Sequence, residues 1–424
     1  MQHSGNKTAS QNETTRRTFL KRSATTAVTG ALAANFALSA QAYAGGDETL
    51  RVGLVGCGGR GTGAAVQALT ADKNAKLVAM GDAFGDRLES SLARLKKAQG
   101  AQIDVNKDHQ FVGFDAYKKV IDSVDVVLLT TPPHFRPMQL KYAVEQGKHT
   151  FVEKPVAVDA PGVRDVLLSA KLAKQKGLSL VSGLCYRYEE KKRQTIQRIH
   201  DGEIGDIVSM QCSYNTRGLW MHARKPEWSD MEWQMRNWLY FTWLSGDHIA
   251  EQHIHSLDKL AWVMNNEYPV KASGTGGRQT RTGKNYGHIY DHFAIEYEYA
   301  NGMKAFSRCR QQNGTQPDVS DYIYGTKGKA TLMKHAIIDS AGKTKWRFKG
   351  KSLNMYQQEH NELFASIRNG KPINNGEYMV NSTMMAILGR MAAYTGKTIT
   401  WEKAWNSKEN LSPKKYTWGD MPIP

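Results

Sequence analysis

From residue 50 the apolar positions fall in short unbroken runs separated by longer mixed stretches. Leu50–Val55, Lys76–Asp82, Asp125–Pro133, His149–Pro155 and Leu178–Glu190 read as strands, and Gly63–Leu69, Pro137–Gly147 and Pro161–Gly177 read as helices between them. Apolar runs without alternation belong to strands buried on both faces, the condition of a parallel sheet covered by helices. After Ile204 the period changes. Asp206–Thr216 alternates, and His288–Gln312 reads as two strands joined by Asn301-Gly302, a strong hairpin signal. Ser320–Met333 and Ala336–Lys349 repeat the strand–turn–strand habit, and Gln357–Asn369 and Val380–Thr395 read as helices that pack back on the body. The pattern predicts an α/β protein: a Rossmann-type parallel-sheet domain over 48–188, then an α/β domain with a large, mostly antiparallel sheet over 189–424.

The first strand runs straight into "GCGGRG", Gly56–Gly61, at the spacing G-x-G-x-x-G. Alone this pattern is weak, but here it follows a strand and opens a helix, and Asp82 ends the next strand 21 positions after Gly61. Gly56 then serves a tight turn, Gly58 the approach of a pyrophosphate, and Gly61 close packing of helix on strand, with the helix N-terminus offering N–H groups to phosphate. Asp82 would accept from a ribose 2′-hydroxyl and repel a 2′-phosphate, which favours NAD over NADP; Arg60 would partly offset that repulsion. Ligands of such sheets lie beyond the carboxyl ends of the strands. The candidate cofactor-binding set is Gly56, Cys57, Gly58, Gly59, Arg60, Gly61, Asp82, Thr131, Pro132, His134, Glu153 and Lys154.

Composition narrows the class. The chain has 424 residues, 40% hydrophobic, with 38 Gly and 12 Pro, enough for two globular domains. The net charge of +17 comes without a basic run or nucleic-acid motif, so it reads as a basic surface, and no nucleic-acid partner is expected. No apolar stretch after the N-terminus is long enough to span a bilayer, so no stable membrane insertion is expected. The four cysteines, Cys57, Cys185, Cys212 and Cys309, form no C-x-x-C pair and are expected to be free thiols.

The N-terminus carries Arg16-Arg17-Thr18-Phe19-Leu20-Lys21, a mildly apolar stretch, and Ala42-Tyr43-Ala44, an A-x-A cleavage site. It resembles a twin-arginine signal over 1–44, which implies export of an already folded protein to the periplasm.

"GCGGRG", "TTPPHF", "FVEKP" and "GLCYRY", in this order and at these intervals, resemble the Gfo/Idh/MocA family, which includes glucose–fructose oxidoreductase, inositol dehydrogenase and an NAD-dependent glycosidase branch. The family's usual T-P-N reads Thr131-Pro132-Pro133 here. The resemblance implies a dinucleotide-binding domain followed by a domain whose open sheet makes subunit contacts, hence a homo-oligomer. Leu244–Met264, read as one helix, places Asp247, Glu251 and His255 on one face. The family's D-x-x-x-H pattern falls on Glu251 and His255, with Glu for Asp, and its continuation on Asp258.

Oxidation of a carbinol requires a base for the hydroxyl proton as hydride leaves. His255 suits that role with a pKa near neutral; a nearby acid, Glu251, would orient the imidazole, and Lys154 would hold the hydroxyl oxygen. Tyr186, Arg187 and His222 are candidate substrate-binding residues, and the Trp-rich stretch Glu227–Trp243 can either stack on sugar rings or pack in the core. His248 and His253 read as structural. A metal reading of Asp247, Glu251 and His255 lacks the H-E-x-x-H spacing, so no metal is expected. The sequence thus predicts an NAD(P)-dependent oxidoreductase acting on a sugar, polyol or glycoside hydroxyl, with a tightly bound, recycled cofactor. The alternatives are a redox-neutral glycosidase working by oxidation and elimination, and a non-catalytic nucleotide sensor.

Overall fold

The computed structural model describes residues 48–422 apart from Lys284, so the signal-like segment lies outside the described residues. Six strands form a first sheet: β1 (Leu50–Val55), β2 (Ala75–Asp82), β3 (Gln110–Val112), β4 (Val126–Leu129), β5 (His149–Val152) and β6 (Leu180–Ser182). Their order is β3-β2-β1-β4-β5-β6 and every pairing is parallel. β4 and β5 are buried at every position, as their unbroken apolar runs require. Strand order reverses beside β1, which opens a crevice at the carboxyl ends of β1 and β4.

The second sheet is built from β7 (Ile207–Thr216), β8 (Lys271–Gly277), β9 (His292–Glu298), β10 (Lys304–Gln311), β11 (Asp318–Gly325), β12 (Gly328–Thr331), β13 (Ala336–Asp339), β14 (Thr344–Arg347) and β15 (Ile399–Thr400). The order is β14-β13-β12-β11-β7-β10-β9-β8-β15, antiparallel except where β10 runs parallel to β7. The Asn301-Gly302 turn joins β9 to β10 as its sequence predicts, with Gly302 at φ 82°. The helices Ile254–Val263 and Gly376–Thr395 cover one face. On β7 and β10, Val208 and Phe306 remain exposed.

The helix Met355–Arg368 returns to the first domain. Leu363, Phe364 and Ile367 join the cluster that holds Leu50, Val52 and Leu54, and Gln357 Nε2 donates to the Gln67 carbonyl at 2.9 Å. All four cysteines are free and buried.

Two elements differ from the sequence reading. The strand expected over Leu178–Glu190 ends at Ser182, and Cys185–Tyr188 is a 3-10 turn. The single helix expected over Leu244–Met264 is three short helices, Thr242–Ser245, His248–Glu251 and Ile254–Val263. The break falls at Gly246 and Asp247, both at positive φ (75° and 69°), and the Asp247 side chain caps the next turn by accepting from His248 N.

Candidate active site

A cavity of about 950 Å³ occupies the crevice at the switch point. Gly56–Gly61 forms one wall. Gly56 has φ +95°, and a Cβ there would lie 2.7 Å from Thr131 N; a Cβ on Gly61 would lie 1.9 Å from the Gly56 carbonyl oxygen. Glycine is thus required at both ends of the loop for the turn and for close helix approach. A Cβ on Gly58 or Gly59 would meet nothing within 4 Å, so the backbone there fronts open space. Gly58 caps the helix Gly59–Ala71 without a side-chain bond, which leaves first-turn N–H groups free for an anion. A loop with these two contacts, an uncapped helix start and a cavity this large fits a dinucleotide pyrophosphate.

Asp82 ends β2 at this wall. Its carboxylate accepts from Cys57 N at 2.6 Å and Phe84 N at 2.9 Å, so it holds the loop as well as facing the cavity. Burial pushes its pKa up, against the lowering effect of those two bonds. On the next loop, the Thr131 hydroxyl donates to Gln139 Oε1 at 2.7 Å. Arg136 donates to the Thr131 carbonyl at 2.7 Å and the Pro155 carbonyl at 2.5 Å, locking the β4 and β5 loops together; burial lowers its pKa to about 10.

Lys154, Glu251 and His255 line the other end of the cavity. Lys154 Nζ donates to the Glu251 carbonyl at 2.5 Å and lies 3.2 Å from Glu251 Oε1. The two side chains are each 15% exposed, open on the cavity side. His255 stands with its ring edge-on to Tyr186, centroids 5.3 Å apart, and its Nδ1 is buried without a hydrogen-bond partner. Burial, then the charges of Lys154, Lys259 and Arg60, push its pKa well below the usual value. Two expectations are corrected here. The imidazole is neutral well below pH 7 rather than poised near neutrality, because it is buried among cations. Glu251 is paired with Lys154 and makes no hydrogen bond to the imidazole.

Other expected site residues are corrected too. Arg60 does not offset Asp82. Its guanidinium bridges Glu153 at 2.5 Å and Glu359 at 2.6 Å and lies over the Phe151 and Tyr356 rings. Burial favours protonation of both acids, yet Arg60, Lys154 and Arg136 hold the Glu153 pKa down while that of Glu359 stays well raised. Glu153 therefore anchors the wall rather than offering a free carboxylate. His134 is buried away from the cavity, bonded to the Tyr416 hydroxyl at 2.7 Å and packed on Trp243. Arg187 is spent on Asp258, with bonds of 3.0, 3.0 and 2.8 Å, under the Trp262 and Tyr378 rings. Tyr186 packs edge-on against His255 and under Lys192 and Lys259 rather than lining the cavity. His222 does line the cavity, beside Arg87 and Arg236 at the Asp82 end; burial, then those two cations, lowers its pKa.

Asp247 is turned out of the site by the helix break. Its carboxylate accepts from His248 N at 2.5 Å, Tyr290 N at 2.9 Å and the Tyr394 hydroxyl at 2.6 Å. Among the described residues there is no group of three or more His, Cys, Asp or Glu that could hold a metal. His253, bonded to the Ser307 hydroxyl at 2.6 Å, is structural as expected. Sequence reasoning missed Tyr356, Arg136 and Arg236 at the cavity wall. Ser229 and Glu232 had offered a signal for Arg236's helix, Asp230–Arg236: the Ser229 hydroxyl accepts from Glu232 N at 3.2 Å, the start of a capping box.

Comparison with known proteins agrees with this geometry. Residues 50–183 match the model of an oxidoreductase family with an NAD-binding Rossmann fold, and residues 193–331 match the GFO/IDH/MocA C-terminal domain. The chain is 29% identical over 303 residues to inositol 2-dehydrogenase of Ralstonia nicotianae, covering 68% of this chain and 77% of that protein. It is 24% identical over 273 residues to glycosyl hydrolase family 109 protein 1 of Bacteroides thetaiotaomicron, covering 63% and 54%. The chain spans about half the length of the first curated relatives it matches. The structure of scyllo-inositol dehydrogenase from Lactobacillus casei superposes with TM-score 0.63 at 19% identity, over 84% of this chain and 99% of that one, which shows a shared fold. Two family models in sequence order, laid over the two sheets described above, place the chain in the Gfo/Idh/MocA family of NAD-binding oxidoreductases.

Proposed function

We propose that the protein is an NAD(P)-dependent oxidoreductase acting on a hydroxyl of a sugar, polyol or glycoside. The observation that carries this is one continuous cavity with the glycine loop and Asp82 at one end and Lys154, Glu251 and His255 at the other. When bound, the nicotinamide would accept or return the hydride. Lys154 holds the carbinol oxygen and offsets its developing negative charge. Glu251 fixes the ammonium through both its carbonyl and its carboxylate. His255, kept neutral, has a lone pair for the hydroxyl proton as the carbinol becomes a carbonyl. Asp82 selects NAD over NADP. The likeness to inositol dehydrogenases supports a polyol or sugar substrate.

The matched glycosyl hydrolase supports a second reading, in which the same oxidation is transient and eases elimination of a glycosidic bond. Incubating the purified protein with a panel of polyols, sugars and glycosides, and reading products by mass spectrometry, decides: keto products support the first reading, cleaved sugars without net oxidation the second, and no turnover with nucleotide bound defeats both.

Arg16-Arg17 and Ala42-Tyr43-Ala44 support export by the twin-arginine route to the periplasm. Free NAD is scarce there, which favours a cofactor loaded before export and recycled in place. Denaturing the purified protein and assaying released nucleotide tests this: an empty site, with rates that follow added NAD, defeats it. The exposed Phe306 on the open face of the second sheet supports a homo-oligomer formed there, which sedimentation of the wild type and of Phe306→Glu would test.

A further inference from the structure

At the Asp82 end, the cavity is spanned by side chains from two distant parts of the chain. Phe84, Asp86 and Phe114 come from loops and a helix start of the first domain; Trp228 and Arg236 come from the Trp-rich excursion of the second. Arg236 bridges the two lips. Its Nη1 and Nη2 reach Asp86 at 3.1 and 3.3 Å and its Nε reaches Glu232 at 2.8 Å. The guanidinium lies 4.1 Å from the Phe84 ring centre and 5.0 Å from that of Trp228. The Arg236 side chain is only 15% exposed, while Asp86 on the other lip is 64% exposed, so the guanidinium is sheltered and its partner carboxylate faces solvent.

A third segment straps this bridge down. Trp418, in the C-terminal tail, packs on Phe84 at 5.3 Å and on Phe114 at 4.7 Å between ring centres. The same tail is hydrogen-bonded to the helix that carries Arg236: Met231 N donates to the Gly419 carbonyl at 3.2 Å, Gln234 Nε2 to the Met421 carbonyl at 2.8 Å, and Met421 N to Asp230 Oδ2 at 3.2 Å. Tyr416 anchors it through His134. The tail therefore touches both lips at once. The walls at this end are flat aromatic faces and a cation, the chemistry that takes a purine base.

We infer that Arg236 and the Trp418 strap form a clasp over the adenosine half of the bound nucleotide, and that breaking this clasp, rather than leaving the glycine loop, limits nucleotide release. The inference rests on the dinucleotide reading of the cavity. It also gives the Trp-rich stretch a different task from sugar stacking: it covers the cofactor end, remote from Lys154 and His255.

The test uses the full mature chain loaded with NADH, with release followed by the change in nicotinamide fluorescence on chasing with excess NAD. Arg236→Met removes the bridge and keeps an apolar stem. Trp418→Ala removes the strap contact at a position that is 45% exposed. Each is expected to speed release by about tenfold or more, with association little changed. Trp418→Phe should restore slow release. Release at the wild-type rate in both variants overturns the clasp, and a wild type that binds no NADH overturns the clasp and the dinucleotide reading together. A wild type that releases NADH within seconds and works only with added NAD defeats cofactor recycling alone, because the ratio of variant to wild-type release still decides the clasp.

Discussion

Replacing Asp82 by alanine separates two tasks that the structure has joined in one carboxylate. The first is structural. Asp82 accepts from Cys57 N at 2.6 Å and from Phe84 N at 2.9 Å, so it ties the glycine loop to the end of β2. A buried donor left unpaired costs about 1–3 kcal/mol, and water entering from the cavity brings the pair toward the lower end, about 2 kcal/mol in all. The second task is selection. The carboxylate is an acceptor for a ribose hydroxyl and a repulsive charge toward a 2′-phosphate, and removing it leaves Arg87 and Arg94 on the same wall without that counter-charge. The loop effect weakens NAD and NADP alike. The selective effect acts on their ratio, which should move toward NADP by about tenfold or more. Titrating both nucleotides against wild type, Asp82→Asn and Asp82→Ala, alongside thermal unfolding without nucleotide, reads the two separately. Asp82→Asn keeps an acceptor for one N–H and should recover part of the lost melting temperature while still shifting the ratio. An unmoved NAD/NADP ratio in a variant whose melting temperature has dropped would sink the ribose role and leave Asp82 as a loop anchor only.

Lys154→Ala and His255→Ala should each lower turnover by on the order of a hundredfold while NADH binding persists, and near-wild-type turnover in either removes that residue from the mechanism. Replacing Arg16 and Arg17 by lysine should abolish accumulation in the periplasm, so unchanged amounts on cell fractionation would refute twin-arginine export. Burial lowers His134 and His149 to about 4 and His253 to about 3, below their unfolded value of about 6.5, so the native state binds fewer protons between those limits. The stability these neutral rings contribute is therefore whole above pH ~6.5 and is lost as pH falls toward 4, at about 2 kcal/mol for each of His134 and His149 by pH ~5. A urea midpoint that does not fall between pH ~7 and ~5 would contradict it.

The parts of this protein legible in its sequence are those where one local rule acts without competition. β1, the glycine loop and Asp82 are contiguous or one crossover apart, and each glycine answers a backbone demand that no other residue meets. The Asn301-Gly302 hairpin is legible for the same reason. The errors arise where a polar residue had two destinations and the sequence shows only one of them. Arg60, His134 and Arg187 sit in or beside the right motifs, but their partners, Glu359, Tyr416 and Asp258, come from distant parts of the chain. The i, i+4 spacing of Asp247, Glu251 and His255 runs across the Ser245-Gly246-Asp247 stop, and Gly followed by an acid is itself an end-and-restart signal.

The two sheets were thus predictable because periodicity summed over a strand outweighs any one residue. The site required knowing which charged groups neutralise each other across the interface of the two domains. Lys154 remains at the cavity because Glu251, from the second domain, pairs with it there. Arg60 leaves its expected role because Glu359, from a helix nearly 300 positions away, captures it inside the wall (a separation of 299). The same logic explains the neutral His255. A histidine with an acid three or four positions away is expected to be basic, but that acid is spent on Lys154, whose charge then faces the imidazole. Burial lowers the pKa of the proposed base first and the charge of Lys154 lowers it further, so a variant that breaks the Lys154–Glu251 pair without touching His255, such as Glu251→Gln, should change the pH dependence of turnover more than the affinity for nucleotide.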